Sequence, residues 1–323
     1  MSMEYTYSEE VDPNLYETHG LVNELKLRIH KDTVKEAKGA LRAQKDWSKH
    51  VTTVRNYHGG LGDRFSFIRV TVPECLPDRL EIISYANEYA FLYDDEMEKL
   101  DLQSTNLDSH GILETFSRSA LSSEIGPTTR PEKRIQAQIL SEMMAIDSSR
   151  AVTSMKAWAK FVQLAAETRK SNFNTMDTYI PARVIDAGEL IWYGTLTFGM
   201  GLTIPAHEKG LCMELAKSGY AALGLANDLF SWEKERIAAQ QLGQDYVFNA
   251  IWVIMEEKGV DESEAKEICS AEIRKCMDDY CKVVEGIKNN LNLSKDLRKY
   301  LEAILLSCVG NIVWSIYSPR YHV

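Results

Sequence analysis

The chain has 323 residues, of which 45% are hydrophobic and 8 are prolines, and its formal net charge is −10 at pH 7. This acidity, without any basic run or basic face, argues against nucleic acid or an anionic membrane as a partner, because both attract positive charge. No Pro/Gly/Ser-rich linker, repeat or low-complexity tract divides the chain. Residues 1–323 are therefore predicted to form one domain with a large helical core.

The N-terminus, the apolar windows and the cysteines together indicate a cytoplasmic protein. The first residues, MSMEYTYSEEVDP, are polar and acidic, unlike a signal or transit peptide. No window approaches the ~20 apolar residues of a membrane span, so stable membrane insertion is not expected. The 6 cysteines show no CxxC pair and no zinc-like spacing, which predicts reduced, mostly buried thiols.

The N-terminal part of the chain contains one clear helical pattern, over 31–51, and is irregular over 52–77. The glycine run at 59–62 lacks the lysine and Ser/Thr of a phosphate loop, so a turn is expected there. Phe65 and Phe67 alternate as in a strand, although the same two rings would also suit plugs of a core.

A second helix is predicted to start at Pro77 and Asp78, with Asp78 as its N-cap. Its apolar face includes Tyr85, Tyr89 and Leu92 at i, i+4 and i+7. Such a stripe is more typical of core packing than of a substrate surface.

This apolar face leads directly into the acidic run Asp94-Asp95-Glu96-Met97-Glu98, in which Asp94 and Glu98 share a helix face. Four acids within five residues repel one another, and near a helix C-terminus they also oppose the macrodipole. A solvated charge run is one interpretation. The other is a set of ligands for a cation, which would offset the repulsion.

Three further helical patterns follow, over 108–125, 131–147 and 151–171. The next segment, 176–205, contains glycines at 194, 199 and 201. Because each glycine inside a helix costs about 1 kcal/mol, this helix is expected to kink or break. Arg183 and Asp186 lie near its start, three residues apart, where a surface salt bridge is the simplest interpretation of the pair.

The stretch 219–235, GYAALGLANDLFSWEKE, opens apolar and then places three polar side chains on one helix face. Asn227, Ser231 and Glu235 stand at i, i+4 and i+8, so their oxygens lie about 6 Å apart along that face. Asn and Ser prefer caps and turns to helix interiors. The face is either a polar stripe in solvent or a site for magnesium, which could then hold a diphosphate between this face and the acids at 94–98.

The C-terminal part is predicted to be helical over 245–258 and 261–291 and in a last helix that Ser294 caps and Pro319 follows. Trp314 lies on an apolar face of that helix, where core packing is its default role. No convincing β-sheet pattern occurs. The predicted architecture is an all-α bundle of roughly ten or more helices.

Four motifs, in order, resemble the signatures of class I terpene cyclases. DDEME at 94–98 is similar to their DDxxD/E motif, and NDLFSWEKE at 227–235 is similar to their NSE motif in its NDxxSxxKE form. Arg183 lies 44 residues before the first residue of NDLFSWEKE, where these enzymes carry a diphosphate-sensing arginine. Arg320 and Tyr321 match their terminal RY pair.

The phrases RFSFIRVTVPECLPDRLEIISYANE and WSIYSPRY extend the resemblance over about 5–321. They resemble the N-terminal cyclase domains of fungal chimeric terpene synthases, such as fusicoccadiene-type diterpene synthases. The resemblance implies a single-domain isoprenoid-synthase helical bundle around a central active-site cavity. It also implies an enzyme that uses three magnesium ions.

The resemblance assigns roles to individual residues in three groups. The implied metal ligands are Asp94 and Glu98 for two ions and Asn227, Ser231 and Glu235 for a third. The residues implied to act on the diphosphate are Arg183, Lys234, Arg320 and Tyr321, with Asp186 linking Arg183 onward to the carbonyl of Ala187 or Gly188. The aromatic faces expected to stabilise a carbocation by cation–π attraction are Phe65, Tyr89, Trp192, Phe198 and Trp314. Glu98 stands where the family more commonly has Asp, so its ligation of a metal stays open.

The implied reaction is ionisation of geranylgeranyl diphosphate and cyclisation of the resulting carbocation to a polycyclic hydrocarbon, with release of diphosphate. Geranylfarnesyl diphosphate, a C25 substrate, is the alternative for a sesterterpene cyclase. A chain-elongating prenyl diphosphate synthase is a rival, although NDLFSWEKE replaces its second aspartate-rich motif. A non-catalytic helical scaffold would leave the order of the four motifs unexplained.

The expected ligand is an isoprenoid diphosphate. The chain ends two residues after Tyr321, so a covalently linked prenyltransferase domain is expected only if the native protein is a longer, chimeric enzyme. A homo-oligomer is left open by the sequence.

Overall fold

The computed structural model describes residues 3–101 and 131–322, and for 96–101 and Ala166 it describes the backbone alone. The helix predicted over 108–125 and the side chain of Glu98 lie outside the described residues.

Helices make up most of the described chain, as predicted. They are α1 (Thr33–His50), α2 (Phe67–Thr71), α3 (Leu80–Asp101), α4 (Pro131–Thr168), α5 (Met176–Asp186), α6 (Glu189–Gly199), α7 (Lys209–Gln241), α8 (Ala250–Lys258), α9 (Glu262–Ile287) and α10 (Lys295–Tyr317). Short 3-10 turns lie at Pro13–Leu15, Ala206–Glu208 and Pro319–Tyr321. The all-α prediction is therefore confirmed.

The chain also contains a two-stranded antiparallel sheet that the sequence analysis did not predict. β1 (Ser8–Glu10) pairs with β2 (Arg28–His30), with Ser8 opposite His30. Polar contacts hold this ladder, because the Arg28 guanidinium donates to the Ser8 hydroxyl and Glu74 accepts from the Ser8 backbone N–H. A ladder of three residues held in this way lacks the β-branched alternation by which a strand is recognised in a sequence.

Several predicted helix boundaries shift because of local capping. Asp32 caps α1 by accepting from two N–H groups of its first turn. Asp78 is not an N-cap, since α3 begins at Leu80. The predicted turn between 131–147 and 151–171 is a kink within α4, where Asp147 has non-helical angles and its carboxylate accepts from Arg79 and Arg150.

The segment 176–205 breaks, as predicted, but between α5 and α6 at Gly188, whereas Gly194, one of the glycines from which the break was predicted, lies inside α6. Gly188 has φ 93° and forms the N-terminal boundary of α6, a conformation that only glycine adopts without strain. The Gly188 carbonyl accepts the Trp192 N–H within α6. The break lies directly after Asp186, so Arg183 and Asp186 lie in the last turn of α5.

The apolar half of α7 forms the centre of the fold and contacts α5, α8, α9 and α10. A Cβ at Gly224 would lie 3.0 Å from the Ala187 Cβ and 3.1 Å from the Arg183 Cγ, so the glycine lets α5 approach α7 closely. α10 is long and apolar enough to cross a bilayer, but 72% of its most apolar window is buried inside the molecule. Its hydrophobicity is accounted for by core packing.

The cysteine prediction is confirmed. All six are free thiols, and only Cys281 is not fully buried. Burial raises the pKa of Cys212 and Cys276 to about 12, so these thiols are protonated and unreactive at neutral pH.

Glu36 of α1 is a buried carboxyl whose ionisation opposes folding. Its Oε1 accepts the Arg69 backbone N–H at 3.0 Å, and the Arg69 Nε lies 4.0 Å from its Oε2. Burial raises the pKa of Glu36 to about 8, and the hydrogen bond and charge of Arg69 offset this only in part. The folded protein therefore binds a proton here that the unfolded chain releases above about pH 4.5.

We expect Glu36→Gln to flatten the dependence of folding stability on pH. Between about pH 4.5 and 8 the native carboxyl is protonated and the unfolded one is not, so the wild-type free energy of unfolding falls as pH rises, by at most about 1.4 kcal/mol per pH unit from this group. Urea unfolding at pH 5, 6, 7 and 8 measures both curves. Parallel curves for wild type and Glu36→Gln would contradict the assignment.

Candidate active site

One large cavity, of about 1270 Å³, opens at the end of the bundle. Its rim is formed by the irregular segment 52–58, the loop that follows α7 and the C-terminal turn. The charged side chains that line it are Arg55, Asp95, Arg169, Arg183, Asp186, Lys234, Glu235, Asp245 and Arg320. Acids and bases from α3, α4, α5, α7 and the C-terminus thus meet at one opening.

Of the two adjacent aspartates on α3, Asp95 is the one that the site holds tightly. Its carboxylate accepts from Arg320 Nη2 at 2.7 Å and from Nη1 at 3.0 Å, and it accepts from Lys234 Nζ at 3.1 Å. Burial alone would raise the pKa of Asp95, but the bonds and charges of Arg320 and Lys234 outweigh it and hold that pKa below its usual value. Asp95 was predicted only as part of the acidic run, and not as a site residue.

Asp94 is more loosely held, and its side chain is 44% exposed. The nearest guanidinium nitrogens are Arg320 Nη2, at 3.8 Å from Oδ2, and Arg169 Nη2, at 3.9 Å from Oδ1. The Asp94 oxygens therefore remain accessible.

Arg320 is held in a defined position from three sides. Besides its paired bonds to Asp95, its Nη1 donates to the His58 carbonyl at 3.1 Å. Its guanidinium lies 5.0 Å from the centre of the Phe91 ring, one helical turn before Asp95 on α3. The terminal arginine is thus a buried part of the site and not a surface charge.

Asn227, Ser231 and Glu235 lie on α7, as predicted, and two of the three are hydrogen-bonded to other site residues. The Asn227 side chain accepts from Arg183 at 2.6 Å and donates to the Tyr321 hydroxyl at 2.8 Å. Glu235 Oε2 accepts from Asn249 Nδ2 at 2.9 Å.

Ser231 provides the test of whether this face fits a metal ion. Its Oγ is buried and has no hydrogen-bond partner among the described residues, although a buried hydroxyl normally has one. A hard cation would satisfy that oxygen. Within 3–101 and 131–322, no group of three or more His, Cys, Asp or Glu side chains is arranged to hold a metal alone. The fit therefore depends on the amide and hydroxyl oxygens of Asn227 and Ser231.

The Arg183–Asp186 pair is not the surface salt bridge that its spacing suggests, because Arg183 is only 7% exposed. Its Nη1 bonds Asp186, and its Nη2 lies 2.8 Å from Asp228 Oδ1 as well as close to Asn227. Burial would raise the pKa of Asp186, but Arg169 and Arg183 hold it below the usual value. Asp186 is thus an ionised carboxylate between two guanidinium groups.

Sequence reasoning missed the buried Asp228, although it directly follows Asn227. As the next residue on a helix it faces about 100° away, towards α5 and α8. Its Oδ2 accepts from the Tyr179 hydroxyl at 2.7 Å and from the Ala250 N–H at 3.1 Å. Burial raises the pKa of Asp228 to about 7, against the opposing charge of Arg183. A polar residue inside an apolar helical run was the available signal.

Arg169 and Asn249 were also missed. Arg169 donates from Nε to Asp186 Oδ1 at 2.6 Å, and Asn249 donates to both Glu235 and the Asp228 carbonyl. Neither residue stands in a motif, so only the folded chain brings them to the site.

Of the five predicted aromatic residues, Trp192 and Trp314 come together through Phe67. The centre of the Phe67 ring lies 4.7 Å from that of Trp314 and 5.8 Å from that of Trp192. Tyr321 packs edge-on against Trp314 at 5.5 Å, and Phe91 stacks on the same indole at 5.6 Å. This aromatic group adjoins the charged residues through Tyr321 and Phe91.

The other three predicted aromatics lie apart. Phe65 packs against Tyr317, Tyr89 against Trp47, and Phe198 is fully buried beneath the Arg79 guanidinium. None of the five is among the described residues that line the large cavity.

Comparison with known proteins places this chain in a family. Residues 85–279 match the sequence profile of "Terpene synthase family 2, C-terminal metal binding". The chain is 45% identical, over 99% of its length, to fusicoccadiene synthase of Phomopsis amygdali. It is 41% identical, also over 99% of its length, to a bifunctional sesterterpene synthase of Aspergillus aculeatus. It spans about half the length of these relatives, 46% and 45% respectively.

Among solved structures, aristolochene synthase of Penicillium roqueforti matches with a TM-score of 0.71, over 92% of this chain and 99% of that one. At 18% sequence identity, this likeness shows the fold alone.

We expect Asp228→Ala to lower the free energy of unfolding by about 3–5 kcal/mol, because it removes one of the two carboxylates that pair with the buried Arg183 and the acceptor of the Tyr179 hydroxyl. The control is Glu233→Ala on the same helix, which removes a more exposed i, i+3 pair with Arg236 and should change stability by about 0–1 kcal/mol. Urea unfolding of both variants gives the comparison. Equal effects would show that Asp228 is not a structural centre of the site.

Proposed function

The chain belongs to the terpene synthase family, and on that premise we propose that it is a magnesium-dependent class I diterpene cyclase. In this proposal residues 1–323 are one cyclase domain that ionises geranylgeranyl diphosphate and cyclises the carbocation to a polycyclic hydrocarbon. One observation carries it. The acids of α3 and the Asn227 face of α7 are joined across the cavity through Arg183, Arg320 and their partners.

The two faces are joined by direct contacts between their side chains and those of the C-terminal turn. Asp95 of α3 bonds Lys234 of α7 directly. Asn227 of α7 bonds Tyr321, and the adjacent Arg320 bonds Asp95. These contacts support two oxygen-rich walls around one anion site, as opposed to unrelated solvated faces.

We propose that Asp94 holds magnesium on the α3 side and that Asn227, Ser231 and Glu235 hold it on the α7 side, with three ions in all. Glu98 remains a predicted ligand, because its side chain lies outside the described residues. Magnesium bound there would neutralise the diphosphate and polarise its oxygens as the leaving group departs. The accessible Asp94 oxygens and the unpaired Ser231 hydroxyl support these assignments.

The residues that this chain would offer to the diphosphate are Arg183, Lys234, Arg320 and Tyr321. Each is hydrogen-bonded to another side chain of the site: Arg183 and Tyr321 to Asn227, and Lys234 and Arg320 to Asp95. For Arg183, Lys234 and Arg320 a diphosphate would replace these acceptors with oxygens of higher charge, whereas the Tyr321 hydroxyl accepts from Asn227 and keeps its own proton to donate. Donors positioned in advance stabilise the charge that develops on the leaving group. In this proposal the chain assists ionisation because these basic side chains exchange their hydrogen-bond acceptors for diphosphate oxygens while their own positions stay fixed.

Asp186 is proposed to link Arg183 to the break between α5 and α6. The Ala187 N–H donates to the Arg183 carbonyl, and the left-handed Gly188 follows it. Because the Gly188 carbonyl is already bonded to Trp192 within α6, Ala187 is the better candidate for a carbonyl that responds to the substrate. A movement of Arg183 would therefore be transmitted to the backbone of Ala187 and Gly188, which precede Trp192 in the chain.

The hydrocarbon part of the substrate requires apolar walls that exclude water and stabilise a cation. Trp192 and Trp314, with Phe67 and Phe91 between and beside them, are the aromatic faces nearest to Tyr321. Phe65, Tyr89 and Phe198 stay predictions for this role. Their present packing suggests that they support the walls from behind.

A C20 substrate is proposed because of the 45% identity to fusicoccadiene synthase, and a C25 substrate is the alternative favoured by the sesterterpene synthase at 41%. Since the chain spans about half the length of these relatives, we propose that the native protein carries a linked prenyltransferase domain that supplies the diphosphate in the cytoplasm.

The test is to incubate the chain with magnesium and with C15, C20 or C25 isoprenoid diphosphate, and to detect hydrocarbon by gas chromatography and released diphosphate by a coupled assay. We expect turnover of the C20 substrate, abolished by EDTA. Asn227→Ala should lower the rate by about 10²-fold or more, because it removes both a metal ligand and the anchor of Tyr321.

The matched control is Asn14→Ala, an exposed asparagine in the N-terminal 3-10 turn, which should leave the rate unchanged. Full activity in Asn227→Ala would overturn the metal assignment. Consumption of isopentenyl diphosphate in place of cyclisation would identify a chain-elongating synthase, and turnover of the C25 diphosphate alone would identify a sesterterpene cyclase.

A further inference from the structure

Arg169 lies between the two halves of the site, and no motif assigns it a role. It directly follows α4, where its N–H closes the last helical turn on the Ala165 carbonyl. Its side chain is 49% exposed, and it lines the large cavity together with the other basic residues. Its guanidinium is therefore accessible to a ligand in that cavity.

The guanidinium is shared by two carboxylates. Nε donates to Asp186 Oδ1 at 2.6 Å, while Nη2 lies 3.9 Å from Asp94 Oδ1. Asp186 is almost fully buried, whereas Asp94 is half-exposed. Arg169 thus connects a buried carboxylate with a half-exposed one.

Asp186 carries the connection further. Its second oxygen accepts from Arg183, and the other amino group of Arg183 donates to Asn227 Oδ1 at 2.6 Å. A continuous series of charged and polar contacts therefore runs from Asp94 through Arg169, Asp186 and Arg183 to Asn227. Its two ends are the proposed metal ligands on α3 and α7.

A divalent cation on Asp94 and the Arg169 guanidinium repel each other, because both are positive and would share one carboxylate. The cation holds Asp94 more strongly by its higher charge. Arg169 is then left with Asp186 alone and neutralises that carboxylate more completely. Asp186 in turn holds the Arg183 Nη1 less strongly, so that nitrogen becomes available to an anion in the cavity, while Nη2 keeps its contacts with Asp228 and Asn227.

We propose that Arg169 is a positioning residue that couples cation binding at Asp94 to the release of Arg183 for the diphosphate. This inference rests on the proposed function, since it requires a metal and a diphosphate at this site. It predicts opposite changes in two affinities. Removing Arg169 should not weaken metal binding at Asp94, because it removes a competing positive charge. It should weaken diphosphate binding, because metal binding then no longer frees Arg183.

The experiment compares Arg169→Gln with Arg169→Lys and with Lys170→Gln. Lys170→Gln deletes the same charge at the next, exposed residue, which is not among the described residues lining the cavity. Binding of Mn²⁺ alone is followed by the electron paramagnetic resonance signal of the free ion. Binding of inorganic diphosphate is followed by calorimetry with saturating Mn²⁺ in both solutions, and folding is checked by thermal unfolding.

For Arg169→Gln we expect Mn²⁺ alone to bind at least as tightly as in wild type, while the Kd of diphosphate rises about 10-fold. Arg169→Lys keeps the charge but cannot span both carboxylates with one amino group, so its diphosphate Kd should fall between the two. Lys170→Gln should match wild type in both measurements.

A role for Arg169 in packing alone would weaken both ligands together and lower the melting temperature. That result, or a diphosphate Kd for Arg169→Gln within twofold of wild type, would overturn the coupling. If wild type itself failed to bind Mn²⁺ and diphosphate, the proposed function would fail, and this inference would fail with it.

Discussion

The organisation of the site depends on internal neutralisation of charge. Every cation that the chain would offer to a diphosphate is held by an acid or amide of the site itself, most tightly in the pairing of Arg320 and Lys234 with Asp95. Basic side chains that are largely withdrawn from water need such partners, because an unpaired buried charge is very costly. The same pairing fixes the donors in the directions from which an anion would be bound.

The scaffold makes this density of charge tolerable by keeping it at one end of an apolar bundle. α7 is buried from Gly219 to Ala226 and turns polar at Asn227. α3 follows the same plan, with buried Tyr85, Tyr89 and Leu92 before the acids at its C-terminal end. The bonds of Asp95 to Lys234 and Arg320 join the two polar ends, and the close approach of α5 at Gly224 adds Arg183 to them.

Two residues support the site by holding other residues in place. Asp228, the second residue of NDLFSWEKE, is fully buried and holds Arg183, Tyr179 and the start of α8, so it connects three helices. Arg169 connects the end of α4 with α3 and α5. Arg169 stands in no motif, because its position depends on the fold and not on a spacing along the chain.

The all-α class, a break within 176–205, the cap at Ser294, the free cysteines and the shared face of Asn227, Ser231 and Glu235 all followed from the sequence, because each depends on local propensity or helical periodicity. The terpene synthase family followed too, because its motifs are short and ordered. Only the tertiary structure decided that Asp95 and not Asp94 holds Arg320, that Arg183 is buried, and which aromatic rings meet. These depend on the direction of neighbouring side chains and on contacts between residues on different helices, far apart along the chain, about which periodicity along one helix carries no information.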